Sequence, residues 1–170
     1  STLSPSSAAS DVYKRQERAS EIENRLDKFL HDIITQKEYV EFLIGRDGEF
    51  DLLASAAIKR AVREYGYGNT HFTLVLPYMK AEYRDNEKEY LDYYDEVEVC
   101  EESSEAHPKA AILIRNRYLV YRSDLIVCCI QRESGGAYKT MQYAEKLGKR
   151  IINLSEQQGF ERSICCCLLY

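Results

Sequence analysis

Between Ile112 and Leu154 the hydrophobic pattern changes in a fixed order. An apolar helix interrupted by Arg115-Asn116-Arg117 leads into a continuous apolar strand, a Gly-Gly loop, a second helix and a further strand. A strand that is apolar at every position must be covered on both faces. Strands of that kind belong to parallel sheets whose crossovers are helices. The predicted fold is therefore α/β, a Rossmann-like three-layer sandwich with a mostly parallel sheet. Such a fold holds its ligand where a strand ends, a glycine-rich loop turns and a helix begins. The segment points to a small phosphate-bearing ligand more than to any reaction.

The rest of the chain continues the alternation. Ile22, Leu26, Phe29, Leu30, Ile33 and Ile34 recur at helical spacing and predict a helix over 17–36. Val40 to Ile44 reads as a strand ended by Gly45. From Asp51 a helix would bury Ala54, Ala57, Ile58, Ala61, Val62 and Tyr65, and stop in Gly66-Tyr67-Gly68-Asn69. Phe72 to Leu76 is the next strand, closed by Pro77. Between Glu82 and Glu105 eleven acids stand against two bases, interleaved with Tyr83, Tyr90, Tyr93 and Tyr94. Acids in that excess predict a solvated excursion over 80–108, anchored by its tyrosines, with a short strand near Val97 and Val99. Its length makes it a candidate lid. A helix over 109–122, a strand over 125–130, a helix over 137–147 and a strand over 150–154 complete a single domain over 17–156.

Composition removes several classes of function. Hydrophobic residues at 45% and charged residues at 30% fit a globular domain rather than a disordered chain. A net charge of -5 makes a nucleic-acid partner unlikely. No apolar run is long enough to cross a bilayer, so no membrane partner is expected. Neither the adjacent Cys128-Cys129, with side chains toward opposite faces, nor Cys100, nor Cys165-Cys166-Cys167 has zinc-ligand spacing. These thiols read as small apolar residues of a reduced, cytoplasmic protein, with no metal and no cofactor. Asp11 to Gln16 and the final Cys-Leu-Leu-Tyr match what the two strands of a common transposon sequencing adapter would encode. Residues 1–16 and 157–170 are accordingly expected to be tails, disordered or artefactual in origin, as in a chain assembled from environmental reads.

Three places carry candidate chemistry. Gly45-Arg46-Asp47-Gly48-Glu49-Phe50-Asp51 lies between a strand and a helix, where Gly45 and Gly48 permit a sharp turn and Arg46 adds positive charge. It reads equally as an anion loop or as a turn in which Asp47 or Asp51 caps the helix. Ser134-Gly135-Gly136 repeats the arrangement, and parallel strands bring both loops to one edge of the sheet. Tyr138 follows and is placed to stack on a base or sugar, or to pack. Asn116 falls in the middle of the stripe Ile112, Leu113, Leu119 and Val120, so it is expected to be buried and to need a main-chain or ligand partner. Arg115 and Arg117 flank that stripe within reach of phosphate, or as surface residues. No nucleophile–base pair stands out.

Arg115-Asn116, Ser123-Asp124, a strand, Gly135-Gly136 and a helix together resemble the SMF/DprA–LOG (SLOG) superfamily of Rossmann-like nucleotide-binding domains, in particular its YspA-like bacterial branch. Phe42-Leu43-Ile44-Gly45 followed by Gly48-Glu49-Phe50-Asp51, and Ala144 with Gly148-Lys149, extend the likeness over about 20–154. The resemblance implies binding of a nucleotide or nucleotide-derived ligand, as a sensor or ligand-processing module, and a homodimer. In LOG enzymes, which remove ribose 5'-phosphate from a nucleotide, an Arg-Lys pair and a Pro-Gly-Gly-x-Gly-Thr-x-x-Glu loop occupy these places. Here Asn116 replaces the lysine, Tyr138 and Lys139 replace Gly-Thr, and Gln142 stands where the catalytic glutamate would be. A nucleoside 5'-monophosphate phosphoribohydrolase is thus the alternative, with Arg115 and a carboxylate from Glu49 or Asp51. A DprA-like DNA-processing accessory is the second. YspA-like proteins begin with a strand ending in a Gly-His-Arg-like motif. Arg15-Gln16-Glu17 stand in its place, so an edge or central strand is expected to be missing.

Overall fold

The computed structural model describes residues 5–155 and 165–169, with side chains described for 6–155. The elements run α1 (Pro5–Gln36), β1 (Val40–Ile44), α2 (Glu49–Tyr65), β2 (Thr70–Leu76), α3 (Ala81–Asp85), α4 (Glu87–Tyr93), β3 (Glu96–Val99), α5 (Glu101–Ser104), α6 (Pro108–Arg122), β4 (Leu125–Cys128), α7 (Gly135–Lys146), β5 (Arg150–Asn153) and β6 (Cys165–Leu169). The strands form one sheet in the order β3-β2-β1-β6-β4-β5. β1, β2 and β3 pair in parallel, as do β4 and β5. The α/β, Rossmann-like expectation is met.

Alternation along each strand builds the two outer layers. Val40, Phe42, Ile44, Leu74, Leu76, Leu125, Val127 and Cys129 face one way and pack against α1 and α2. Leu43, Val75, Ile126 and Cys128 face the other way, against α6 and α7. Cys128 and Cys129 thus point to opposite faces, as adjacent strand residues must. Ile22, Leu26, Leu30, Ile33 and Ile34 of α1 are all buried, and Phe29 is partly buried against them. The stripe read from α2 is likewise inside, with Ala54, Ala57 and Ile58 at 0–1% exposure. Asn69 joins the first two elements by donating from Nδ2 to the carbonyls of Ile34 and Lys37, at 2.9 and 3.0 Å.

Two expectations are corrected. Residues 5–16 are the exposed first turns of α1 rather than a disordered tail, because the stretch to Gln36 contains no residue that interrupts a helix. The C-terminal segment is not wholly a tail either. Cys165–Leu169 is β6, antiparallel to both β1 and β4 at the centre of the sheet, where an apolar run meets two open strand edges. The acidic excursion is as its sequence reads, largely exposed and anchored by tyrosines. Tyr83, Tyr90 and Tyr94 are buried, and β3 extends the sheet beside β2. The strand expected near Val97 and Val99 is there.

β6 also fixes the geometry of the functional edge. Being antiparallel to both neighbours, it makes β1 and β4 parallel to each other, ~10 Å apart at two strand spacings. From β1 the chain crosses through α2 on one face toward β2. From β4 it crosses through α7 on the opposite face toward β5. The two crossovers diverge from a single point at the carboxyl ends of β1 and β4. That is the topological switch point of an open α/β sheet, where such folds form a crevice.

Candidate functional site at the carboxyl edge of the sheet

The β1–α2 loop is organised around Arg115. This arginine projects from α6 and is 1% exposed, the largest of the fully buried side chains. Nη1 donates to the carbonyl of Val75 at 2.7 Å, Nη2 to Asp47 Oδ2 at 2.8 Å, and Nε to Asn116 Oδ1 at 2.9 Å. A buried guanidinium is tolerated only with such a set of charge-assisted partners. Asp47 is also paired with Lys80, which lies beyond the end of β2. Burial alone would raise the pKa of Asp47, but hydrogen bonds and charge from Lys80 and Arg115 outweigh it and hold the carboxyl below its usual range.

Gly45 is required by this packing. A Cβ built there would lie 2.6 Å from Nη1 and 2.8 Å from Cζ of Arg115. The glycine lets the guanidinium lie against the backbone as it leaves β1. Gly48 then serves as the N-cap of α2 without a side-chain cap. Asp51, in the first turn of the helix, reaches back to the loop, its Oδ2 accepting the N–H of Asp47 at 3.2 Å. Asp51 is 1% exposed and its Oδ1 has no hydrogen-bond partner among the described residues. Burial raises its pKa to about 7, opposed by Arg115 and by the Asp47 and Gly48 amides, with the Asp47 charge adding to the rise. One amide of the loop, that of Asp47, is therefore taken by Asp51, and α2 itself has no side-chain cap.

Arg46 turns away from this cluster. Its guanidinium stacks over the Tyr90 ring at 4.7 Å and pairs with Glu82 at 3.4 Å, so it fastens the loop to the acidic excursion. Glu49 is exposed on the first turn of α2.

The β4–α7 loop is open by contrast. Ser134, the N-cap of α7, makes no side-chain cap bond. Gly135 adopts φ +87°, a left-handed conformation suited to glycine, and a Cβ at Gly135 or Gly136 would meet nothing within 4 Å among the described residues. Ser134, Gly135 and Gly136 are all exposed. The loop is nonetheless anchored at its base. Asn153 Oδ1 accepts the N–H of Ile130 at 2.9 Å while Nδ2 donates to the Ile130 carbonyl at 2.8 Å, and Ser155 bonds to the same groups. Asn153→Ala should cost about 1–3 kcal/mol, because it leaves the Ile130 N–H without its partner while the carbonyl keeps only Ser155 Oγ. Equilibrium urea unfolding reads that loss directly.

Two assignments on α6 and α7 change. Asn116 is half-buried, and the buried polar residue of the apolar stripe is Arg115, one position earlier. The stripe runs Ala111, Arg115, Leu119, and Asn116 sits at its margin as an acceptor for Arg115. Arg117 leaves the edge altogether, lying 5.5 Å over the Tyr143 ring between α6 and α7. Tyr138 is half-buried against the α6–α7 core, the packing role of its two sequence readings. Lys80 and Asn153 had no sequence signal beyond lying at strand ends. Among the described residues no group of three or more His, Cys, Asp or Glu is placed to hold a metal ion, and no helix is long and apolar enough to cross a membrane.

No protein-family model matches the chain, and no curated protein was found that is similar to it.

Proposed function

We propose that this domain binds a nucleotide or nucleotide-derived ligand at the switch point, with its phosphate at the Ser134–Gly136 turn. The observation that carries the reading is the exposed N-terminus of α7 at the carboxyl end of β4, without a side-chain cap and with two glycines that meet no neighbour among the described residues. Unsatisfied amides and the helix dipole favour an anion there. The β1–α2 loop plays a different part. Its Asp47 and Gly48 amides face the Asp51 carboxyl, so this loop would shape the crevice wall and carry Arg115 and Lys80 beneath it. The residues read from sequence thus divide by role. Ser134, Gly135 and Gly136 would contact the ligand, while Gly45, Asp51, Arg115 and Asn116 support them, and Gly48 lies in the wall.

Binding, rather than cleavage of an N-glycosidic bond, fits the side chains available. Arg115 and Asp51 are each 1% exposed and cannot touch a substrate in this arrangement. Gln142, at the place of the LOG glutamate, carries no proton to give or take at neutral pH.

Gly136→Asp tests the reading with little risk to the fold, since the position is open and an acid suits a helix first turn. The full chain is titrated by calorimetry with AMP, NAD, ADP-ribose and cyclic nucleotides. At least one should bind, and the variant should weaken it tenfold or more, as expected from about 1.4 kcal/mol or more of lost charge interaction. Equal affinity of the two proteins would remove the phosphate from this turn. Release of free base from a nucleoside monophosphate would favour the hydrolase instead. Salt-sensitive binding of single-stranded DNA would favour the DNA-processing role.

A further inference from the structure

We infer that Asp51 is a proton switch on the anion affinity of this edge, an inference that rests on the nucleotide-binding reading above. The groups facing its carboxyl come from every surrounding element. Arg115 of α6 and Asp47 of the loop act on it by charge, the Asp47 and Gly48 amides face it, and Tyr94 lies near it on the excursion. Lys80 approaches from the end of β2 and is held by Asp47.

Two carboxyls thus compete for one guanidinium. Asp47 has the direct ion pair at 2.8 Å, together with Lys80. Asp51 has one amide on Oδ2 and none on Oδ1, in a site 1% exposed. A second carboxylate so placed keeps its proton longer than the first, because burial and a neighbouring like charge both disfavour its ionised form. With Asp51 neutral, the two cations Arg115 and Lys80 face the single anion Asp47, leaving one net positive charge beneath the edge. With Asp51 ionised, that charge is cancelled. Arg46 does not alter the count, because Glu82 balances it. An anion at the Ser134–Gly136 turn is therefore attracted below neutral pH and released above it. The fully buried carboxyl sets the affinity without touching the ligand.

ADP-ribose is the suitable probe, because its pyrophosphate does not change charge between pH 5.5 and 8.5. Calorimetric Kd values for the wild type should weaken about fivefold across that range, the scale of one charge acting across the ~10 Å between β1 and β4 through a mixed dielectric. Asp51→Asn should bind at every pH as the wild type does at pH 5.5. Two ligand-free readouts separate the proton from the binding. The side-chain carboxyl carbons of the free protein should include one aspartate resonance titrating near pH 7, absent in Asp51→Asn. The variant should also gain thermal stability relative to the wild type from pH 4 to pH 7, then hold a constant advantage. The sign follows from a folded pKa raised above the unfolded value of about 3.9, which makes the wild type lose stability across that interval.

Parallel pH profiles for the two proteins, or no aspartate titrating near neutrality, would overturn the switch. A titrating aspartate in a chain that binds ADP-ribose at no pH would instead overturn its coupling to anion affinity, and count against the nucleotide reading itself.

Discussion

Arg115→Met should destabilise the domain by about 3–5 kcal/mol, the usual penalty for breaking a buried ion pair while leaving one partner in place. Methionine fills the volume of the aliphatic stem but satisfies none of the acceptors. The Val75 carbonyl at the end of β2 and Asp47 Oδ2 both lose their donor, and Asn116 loses its partner. Lys80 remains on Asp47, so the loop does not become a lone buried anion. Asp51 loses its principal opposing charge and should hold its proton to a still higher pH. Arg115→Lys should recover only part of the loss, because a single ammonium cannot reproduce a planar fork bonded in three directions. Urea unfolding of the three proteins at pH 7 tests this order. Near-equal midpoints would show that the guanidinium is dispensable to the edge.

Gly45→Ala should be the next most damaging single change, at about 1–3 kcal/mol for overpacking, increased by whatever hydrogen bonding the displaced guanidinium surrenders. The far end of an arginine usually moves aside cheaply. Here it is pinned by three acceptors and 1% exposed, so the new methyl group, 2.6 Å from Nη1, has to push it off them. The two substitutions share one cause and should not add. In the Arg115→Met background the alanine should cost much less, and a double-mutant cycle measures the difference. Full additivity would mean that Gly45 is needed for its backbone and not for the close approach.

Most of the scaffold was legible because its determinants are local. The α1 and α2 stripes follow from helical spacing alone, and β1 was bounded correctly by the apolar run before Gly45. What escaped depends on contacts between distant positions. Residues 115 and 116 stand 100° apart on α6, and the milder polarity of asparagine made it the natural choice for the buried place. Arginine occupies that place instead because partners 40 and 68 positions away meet it at the strand ends. Lys80 is in the same position, since its tie to Asp47 spans 33 residues. The excursion was legible in outline, since its acids mark the solvent face and its tyrosines reach the core beside Phe72. The end of the chain was the least legible part. Five apolar residues carry no sign that they will separate β1 from β4.

Of the candidate site, the Gly-Gly turn between β4 and α7 was foreseen and the difference between the two glycine loops was not. Both glycine loops read alike as anion loops. They differ because Asp51 lies in the first turn of α2, whereas the first turn of α7 carries no acid. That local difference, available in the sequence, gains its meaning only once the amides near Asp51 are seen to be taken.

The central claim is that a nucleotide-derived ligand binds at the switch point with its phosphate on the first turn of α7. Backbone amide chemical shifts of the isotope-labelled chain, followed during titration with ADP-ribose, test it most directly. Saturable shifts centred on Ser134, Gly135, Gly136 and Ala137, with smaller ones over 45–48 and none along the exposed half of α1, are the predicted result. A folded spectrum that does not move with ADP-ribose, AMP, NAD or a cyclic nucleotide would contradict it, as would shifts confined to any other surface.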